Sequence, residues 1–189
     1  MRPLRRLRAG PSERVHGETP VSVEALHAPD AQTLAELTDL LIDTVQAGAS
    51  IGWVRPPSHE AALTFWQRVA ASESRGERCW WVARQDGRIV GTVQLVLDAP
   101  ENGQLRAEVC KLMTHPVARR QGLARSLMLA AEAEARRQGK RLVLLDTNTD
   151  SPAQRLYERL GWQVCGVMPD YALQADGSLG ATTWMFKRL

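Results

Sequence analysis

The stretch "HPVARRQGLARSLM", residues 115–128, decides how the rest of the chain is read. It runs from a proline-bent loop, through two arginines, a glutamine and a glycine, into an apolar repeat of helical spacing. The first turn of a helix leaves backbone N–H groups unpaired and carries about half a positive charge, so it binds phosphate or diphosphate readily. Gly122 removes a side chain where a diphosphate would approach, and Ala124 keeps the next turn slim. Arg119, Arg120 and Arg125 add charge for phosphate oxygens. The stretch has neither the G-x-x-x-x-G-K-[ST] of a P-loop nor the G-x-G-x-x-G of a dinucleotide fold. Two readings stand: a phosphate-binding helix start of a third kind, or an ordinary helix N-terminus with solvated arginines.

Working outward, residues 122–138 read as a helix with Leu123, Leu127, Ala130, Ala131 and Ala135 inward and Gly139 just past its end. "RLVLLD" (141–146) is a continuous apolar run, as in a buried strand. Ser151-Pro152-Ala153-Gln154 is a capping box with proline at its first helical position, opening a helix to about Leu160. "WQVCGVM" and "TTWMFKRL" supply closing strands. Upstream, "RCWWVARQ" (78–85) and "RIVGTVQLVL" (88–97) flank Asp86-Gly87, a two-residue hairpin signal, and "LRAEVCKLMT" (105–114) follows as a third antiparallel strand. Helices are predicted from Ala31 to Ala47, capped by Asp30, and from Ser58 to Arg75, after a first strand at 21–26. The order β-α-α-β-β-β-α-β-α-β-β makes one mixed α/β domain.

Composition narrows the function. The net charge of +3 is misleading: residues 1–8, "MRPLRRLR", hold four arginines, and the remainder has 20 basic against 21 acidic residues. The folded part is near neutral and lacks a nucleic-acid motif, which argues against a nucleic-acid partner. No run approaches the ~18 apolar residues of a membrane span. Residues 1–20 read as a flexible basic tail, with a transit peptide as the other reading of the first dozen. Cys79, Cys110 and Cys165 sit in apolar stretches without C-x-x-C spacing and are expected to be buried, reduced thiols of a cytoplasmic protein. The four histidines are scattered, so no metal site is expected.

With these residues in view, "LMTHPVARRQGLARSLM" resembles the acetyl-CoA motif of the GNAT N-acetyltransferases, [RQ]-x-x-G-x-[GA], matched by Arg119-Arg120-Gln121-Gly122-Leu123-Ala124. Ala153 through Trp162, "AQRLYERLGW", resembles the family's second signature, A-x-x-L-Y-x-x-L-G-[FW]. The resemblance implies a GNAT-like α/β fold over 21–189, with a largely antiparallel central sheet flanked by about four helices, and acetyl-CoA as co-substrate. It also implies that Leu112, Met113 and Thr114 pair with the pantetheine arm. Many members have asparagine where this chain has Asp150, so an Asn contact to that arm is replaced or lost. "RAEVCKLM", "LIDTVQAGASIGW" and the tail from Pro169 are similar to the tabtoxin-resistance acetyltransferases, which act on an amino-acid toxin. Either a monomer or a homodimer fits the family.

Acetyl transfer from a thioester needs a neutral amine, a stabilised oxyanion and a proton for the departing sulfur. By resemblance Tyr157 is the general acid; a phenol of ordinary pKa about 10 stays protonated near neutrality. The alternative is a ring packed on the sheet. A backbone N–H near Met113 would serve the oxyanion. Glu108, mid-strand, is either a base or the partner of Arg106. Asp146, at the end of an apolar strand, either faces substrate or caps the "TNTD" turn. Cys110 as a nucleophile competes with Cys110 as core. At pH 7 an α-amine is about 10% neutral and a lysine ε-amine about 0.04%, a gap of roughly 3 kcal/mol, which favours a small or amino-acid-like acceptor. A protein N-terminal or lysine acetyltransferase and a non-catalytic acetyl-CoA-binding module are the rival functions.

Overall fold

The computed structural model describes residues 21–189; the basic stretch read as a tail, 1–20, lies outside the described residues. Seven strands form a single sheet in the order β1-β2-β3-β4-β5-β7-β6. They are β1 Ser22–Ala25, β2 Arg78–Gln85, β3 Arg88–Val96, β4 Arg106–Thr114, β5 Leu142–Asn148, β6 Gln163–Leu173 and β7 Leu179–Arg188. Only β4 and β5 run parallel, and the helices are α1 Ala31–Gln46, α2 His59–Ser74, α3 Leu123–Arg137 and α4 Pro152–Arg159. This is the mixed, mostly antiparallel α/β architecture expected from the sequence.

The local signals work as written. Asp30 and Ser58 accept from the third residue of their helices, and Asp86 and Gly87 both take positive φ (51° and 78°), as a tight two-residue hairpin turn requires. At α4, Ser151 Oγ accepts from Gln154 N at 3.1 Å, but the reciprocal arm differs from an ordinary capping box. Gln154 Oε1 accepts from Asp150 N at 2.8 Å, because the left-handed Asp150 (φ 59°) turns its own N–H toward the helix mouth.

Alternate strand residues feed two cores. On one face α3 packs Leu123, Leu127, Met128 and Ala131 against Val93, Leu95, Val109, Val143, Leu145 and Met185. On the other, α1 and α2 pack Leu37, Leu41 and Trp66 against Trp80, Val82 and Met113. Burying side chains of this size is worth about 1.5–3 kcal/mol each. A carboxylate intrudes on the α3 core: Glu132, 1% exposed, accepts from Trp162 Nε1 at 2.9 Å and from Lys187 Nζ at 2.7 Å. The same ammonium group donates to Leu160 O at 2.7 Å, so α3, β7 and the end of α4 meet at one point.

The last hairpin is longer than the sequence suggested. A proline usually ends a strand, yet Pro169 lies inside β6, because β6 is an edge strand and one missing N–H leaves no ladder bond unmade. Nothing among the described residues covers β6, so Cys165 is exposed and not buried as expected. Cys79 and Cys110 are half-buried, and all three are free thiols.

Candidate active site

Pairing between β4 and β5 stops early. Arg106, Ala107 and Glu108 pair with Leu142, Val143 and Leu144, and beyond them the strands share no rung. On its other side β4 slips register against β3: Thr92 pairs with Met113 but Gln94 pairs with Cys110, so Lys111 and Leu112 together oppose the single residue Val93 in a bulge. Lys111 takes φ 53°, a region that disfavours side chains. Splaying on one side and bulging on the other opens a cleft of about 1390 Å³.

Leu112, Thr114, Arg119, Arg120, Gly122, Leu123, Ala124, Arg125, Asp146 and Tyr157 all line this cleft. The other expected residues do not. Met113 is buried beneath α1 and α2, which leaves only its backbone for an oxyanion. Gln121 accepts from Gln85 Nε2 at 3.3 Å, and Asp150 lies in the turn before α4, where its backbone N–H donates to Gln154 and its carbonyl accepts from Arg155. Glu108 sits one residue below the β4 stretch from Val109 to Leu112 that faces the cleft.

The cleft's upper end is the N-terminus of α3. The other three helices carry a side-chain cap, whereas α3 begins at Gly122 (φ 81°) without one. The amides of its first turn are therefore left for solvent or ligand. A Cβ on Gly122 would meet no protein atom within 4 Å. Its glycine is needed for the left-handed backbone and leaves the helix mouth bare. Arg119, Arg120 and Arg125 form no ion pair among the described residues, so the positive charge at this mouth is uncompensated.

The lower end holds the titratable groups. Tyr157 is 6% exposed, and burial first, then Asp146 and Cys110, raises its phenol above the ordinary value. Glu108 is raised mainly by desolvation, with Asp146 adding to it and Lys111 and Arg78 opposing. It forms no ion pair with Arg106. Asp146 accepts a long 3.5 Å bond from Thr182 Oγ1 and does not cap the following turn, which is held by Thr147 Oγ1 and Ser151 Oγ at 3.3 Å. Burial pushes the Cys110 thiol up to about 11, which leaves little nucleophilic thiolate. Among the described residues no cluster of His, Cys, Asp or Glu could hold a metal ion.

Lys111 and Glu132 were not singled out in the sequence. Lys111 falls in phase with the inward Ala107 and Val109, and that charge in an apolar register is the mark of the slip. Glu132 lies four residues after Met128 and three before Ala135, on the buried stripe of α3.

A forked sheet with a bare, cationic helix mouth above it and titratable groups at the other end of the cleft defines the class: an α/β protein with a site suited to a phosphorylated carrier. The profile of the acetyltransferase (GNAT) family matches residues 34–162, and the chain belongs to that family. It is 40% identical, over 131 residues covering 68% of this chain and 76% of the relative, to an uncharacterised N-acetyltransferase encoded between hisH and hisA in Azospirillum brasilense. The yncA putative acetyltransferase of Salmonella typhimurium, solved with acetyl-CoA, superposes with a TM-score of 0.71 at 23% identity over 88% of this chain and 94% of its own. A phosphinothricin acetyltransferase of Sinorhizobium meliloti, in complex with AcCoA, gives 0.72 at 19% identity, with 88% of each chain covered. At these identities the two structures speak for the fold alone. No helix among the described residues is long and apolar enough to cross a membrane.

Proposed function

We propose that residues 21–189 form one catalytic domain that transfers an acetyl group from acetyl-CoA to the amine of a small molecule by direct attack. The uncapped mouth of α3, ringed by three unpaired arginines and opening on the cleft, carries this reading. It is the surface a diphosphate needs. Acetyl-CoA supplies the acetyl group activated as a thioester; the chain binds, orients and moves protons. Leu112 and Thr114, on the free side of β4, offer backbone groups to an extended arm.

Glu108, whose raised carboxyl is the better base, takes the amine's proton through a water at the foot of the cleft. Asp146 faces the acceptor and keeps local charge negative, favouring an approaching ammonium. Tyr157, neutral well above physiological pH, gives its proton to the departing sulfur. The backbone N–H beside Met113 meets the oxygen that gains charge. An amino-acid-like acceptor also accords with the sequence likeness to the tabtoxin-resistance enzymes. A cytoplasmic setting accords with the three free thiols.

The deciding experiment follows CoA thiol release from acetyl-CoA against a panel of amines, amino acids, antibiotics and peptides, beside calorimetric binding of acetyl-CoA. Release with small amines supports the reading. Turnover with peptides alone moves the acceptor class to proteins, and binding without turnover makes the chain a carrier-binding module.

A further inference from the structure

Lys111 is strained in its backbone, half-buried, and placed by a bulge in the wall of the cleft. Its Nζ donates to Ile51 O at 2.9 Å, in the loop between α1 and α2 that forms the lip of the cleft. An ammonium group has three protons, and this bond uses one. Lys111 enters no ion pair among the described residues. The lip makes room for it: Gly52 has φ +92°, and a Cβ there would stand 2.9 Å from Nζ. Of the cleft-lining residues that the lip, β4 and β6 contribute, Lys111 alone is charged; the same three segments also line the cleft with Trp53, Val54, Tyr171 and Leu173.

We propose that Lys111 selects the acceptor: its ammonium group holds the carboxylate of an amino acid or amino-acid-like compound whose amine lies toward Glu108 and Asp146. The inference rests on the transferase reading above and adds the acceptor's second functional group. A simple alkylamine arrives as a cation and meets like charge at Lys111. A zwitterion meets carboxylates at its amine and an ammonium at its carboxylate, and the cleft walls take its side chain. A charge-assisted bond from a half-buried ammonium group is among the stronger single contacts available to such a ligand. The bulge puts this side chain into the cleft, where an unbroken alternation would have turned position 111 into the α3 core.

The test compares alanine, methionine, phenylalanine and lysine each with its own carboxamide, and adds benzylamine and tyramine, with acetyl-CoA as donor. The readout is the ratio of kcat/KM for acid over carboxamide in the wild type, K111M and K111R, so that intrinsic amine reactivity cancels between proteins. Acetyl-CoA affinity by calorimetry checks that each variant is folded. The wild type is expected to favour the acid, the ratio to fall about ten- to hundredfold in K111M through KM, and K111R to restore part of it. A lysine that merely latched the lip would lower both members of each pair together and leave the ratio unmoved, and that result overturns the proposal. So does a wild type that acetylates benzylamine or tyramine but no amino acid, which leaves the transferase reading intact. Acetyl-CoA binding with no CoA released by any acceptor overturns both readings.

Discussion

Replacing Glu132 with alanine tests whether the charged cluster beneath α3 holds the fold together. The carboxylate is 1% exposed and serves three groups: Trp162 Nε1, Lys187 Nζ and, at 3.7 Å, Arg136 Nη2. Arg136 is about half exposed and can return to water. Lys187 cannot do so freely, since its side chain is 17% exposed and keeps only Leu160 O as a partner. Removing one member of a buried ion pair costs about 3–5 kcal/mol, and an orphaned indole N–H lies within that range when not counted separately. Against a domain stability of roughly 5–15 kcal/mol this is about a fifth or more of the whole. At ~2–4 °C per kcal/mol for a chain of this size, Tm should fall by about 6–20 °C. Urea unfolding followed by far-ultraviolet circular dichroism measures it. Glu132→Leu combined with Lys187→Met should recover most of the loss, because neither charge is then left alone. A single variant that loses less than about 1 kcal/mol, or a double variant no better than the single one, refutes the argument.

Further outcomes are expected at the cleft. Tyr157→Phe should lower kcat by roughly 10²-fold or more with acetyl-CoA affinity little changed, as removal of a general acid does; loss of affinity would instead mark a packing role. Glu108→Gln should abolish the rising acidic limb of kcat/KM, whose midpoint lies above 4.5, the ordinary glutamate value, because the folded carboxyl is raised. The same shift fixes the sign for stability. A carboxyl raised on folding stabilises the native state below its unfolded pKa, and that contribution is lost as pH rises through the folded pKa. Because Glu108 is exposed to solvent, the effect is small: Glu108→Gln should be slightly more stable than the wild type at neutral pH in urea titrations, and lower stability would remove the desolvation argument. Gly122→Val should eliminate acetyl-CoA binding in calorimetry, since it both strains a residue at φ 81° and fills the helix mouth; normal affinity would place the diphosphate elsewhere.

Much of the fold is local chemistry and could be read from neighbouring residues. Asp30, Ser58 and Ser151 start helices by accepting a backbone bond three residues on, and Asp86-Gly87 turns a hairpin by its φ angles. The cleft's upper end was legible for the same reason, since Gly122 and its arginines lie within one short stretch. What joins distant segments was not. Lys187 and Glu132 are 55 residues apart, and Lys111 and Ile51 are 60 apart, so no spacing rule relates them. The extension of β6 through Pro169 is not legible in sequence, because proline's penalty depends on whether a strand is interior or at an edge, which only the assembled sheet decides. The exposure of Cys165 is hidden for the same reason: an apolar strand is a buried strand only if something covers it.

The three rungs between β4 and β5 have a mechanical consequence. Among the described residues they are the only register pairs linking a four-stranded plate to a three-stranded one, which makes the seam the shortest ladder in the sheet. Tyr157 and Asp146 ride on one plate's side and Glu108 on the other's. A carrier wedged into the seam would brace both plates at once, adding ~2.7 kcal/mol of stability at a hundred times its Kd. Slower amide hydrogen exchange would then extend to strands the carrier never touches.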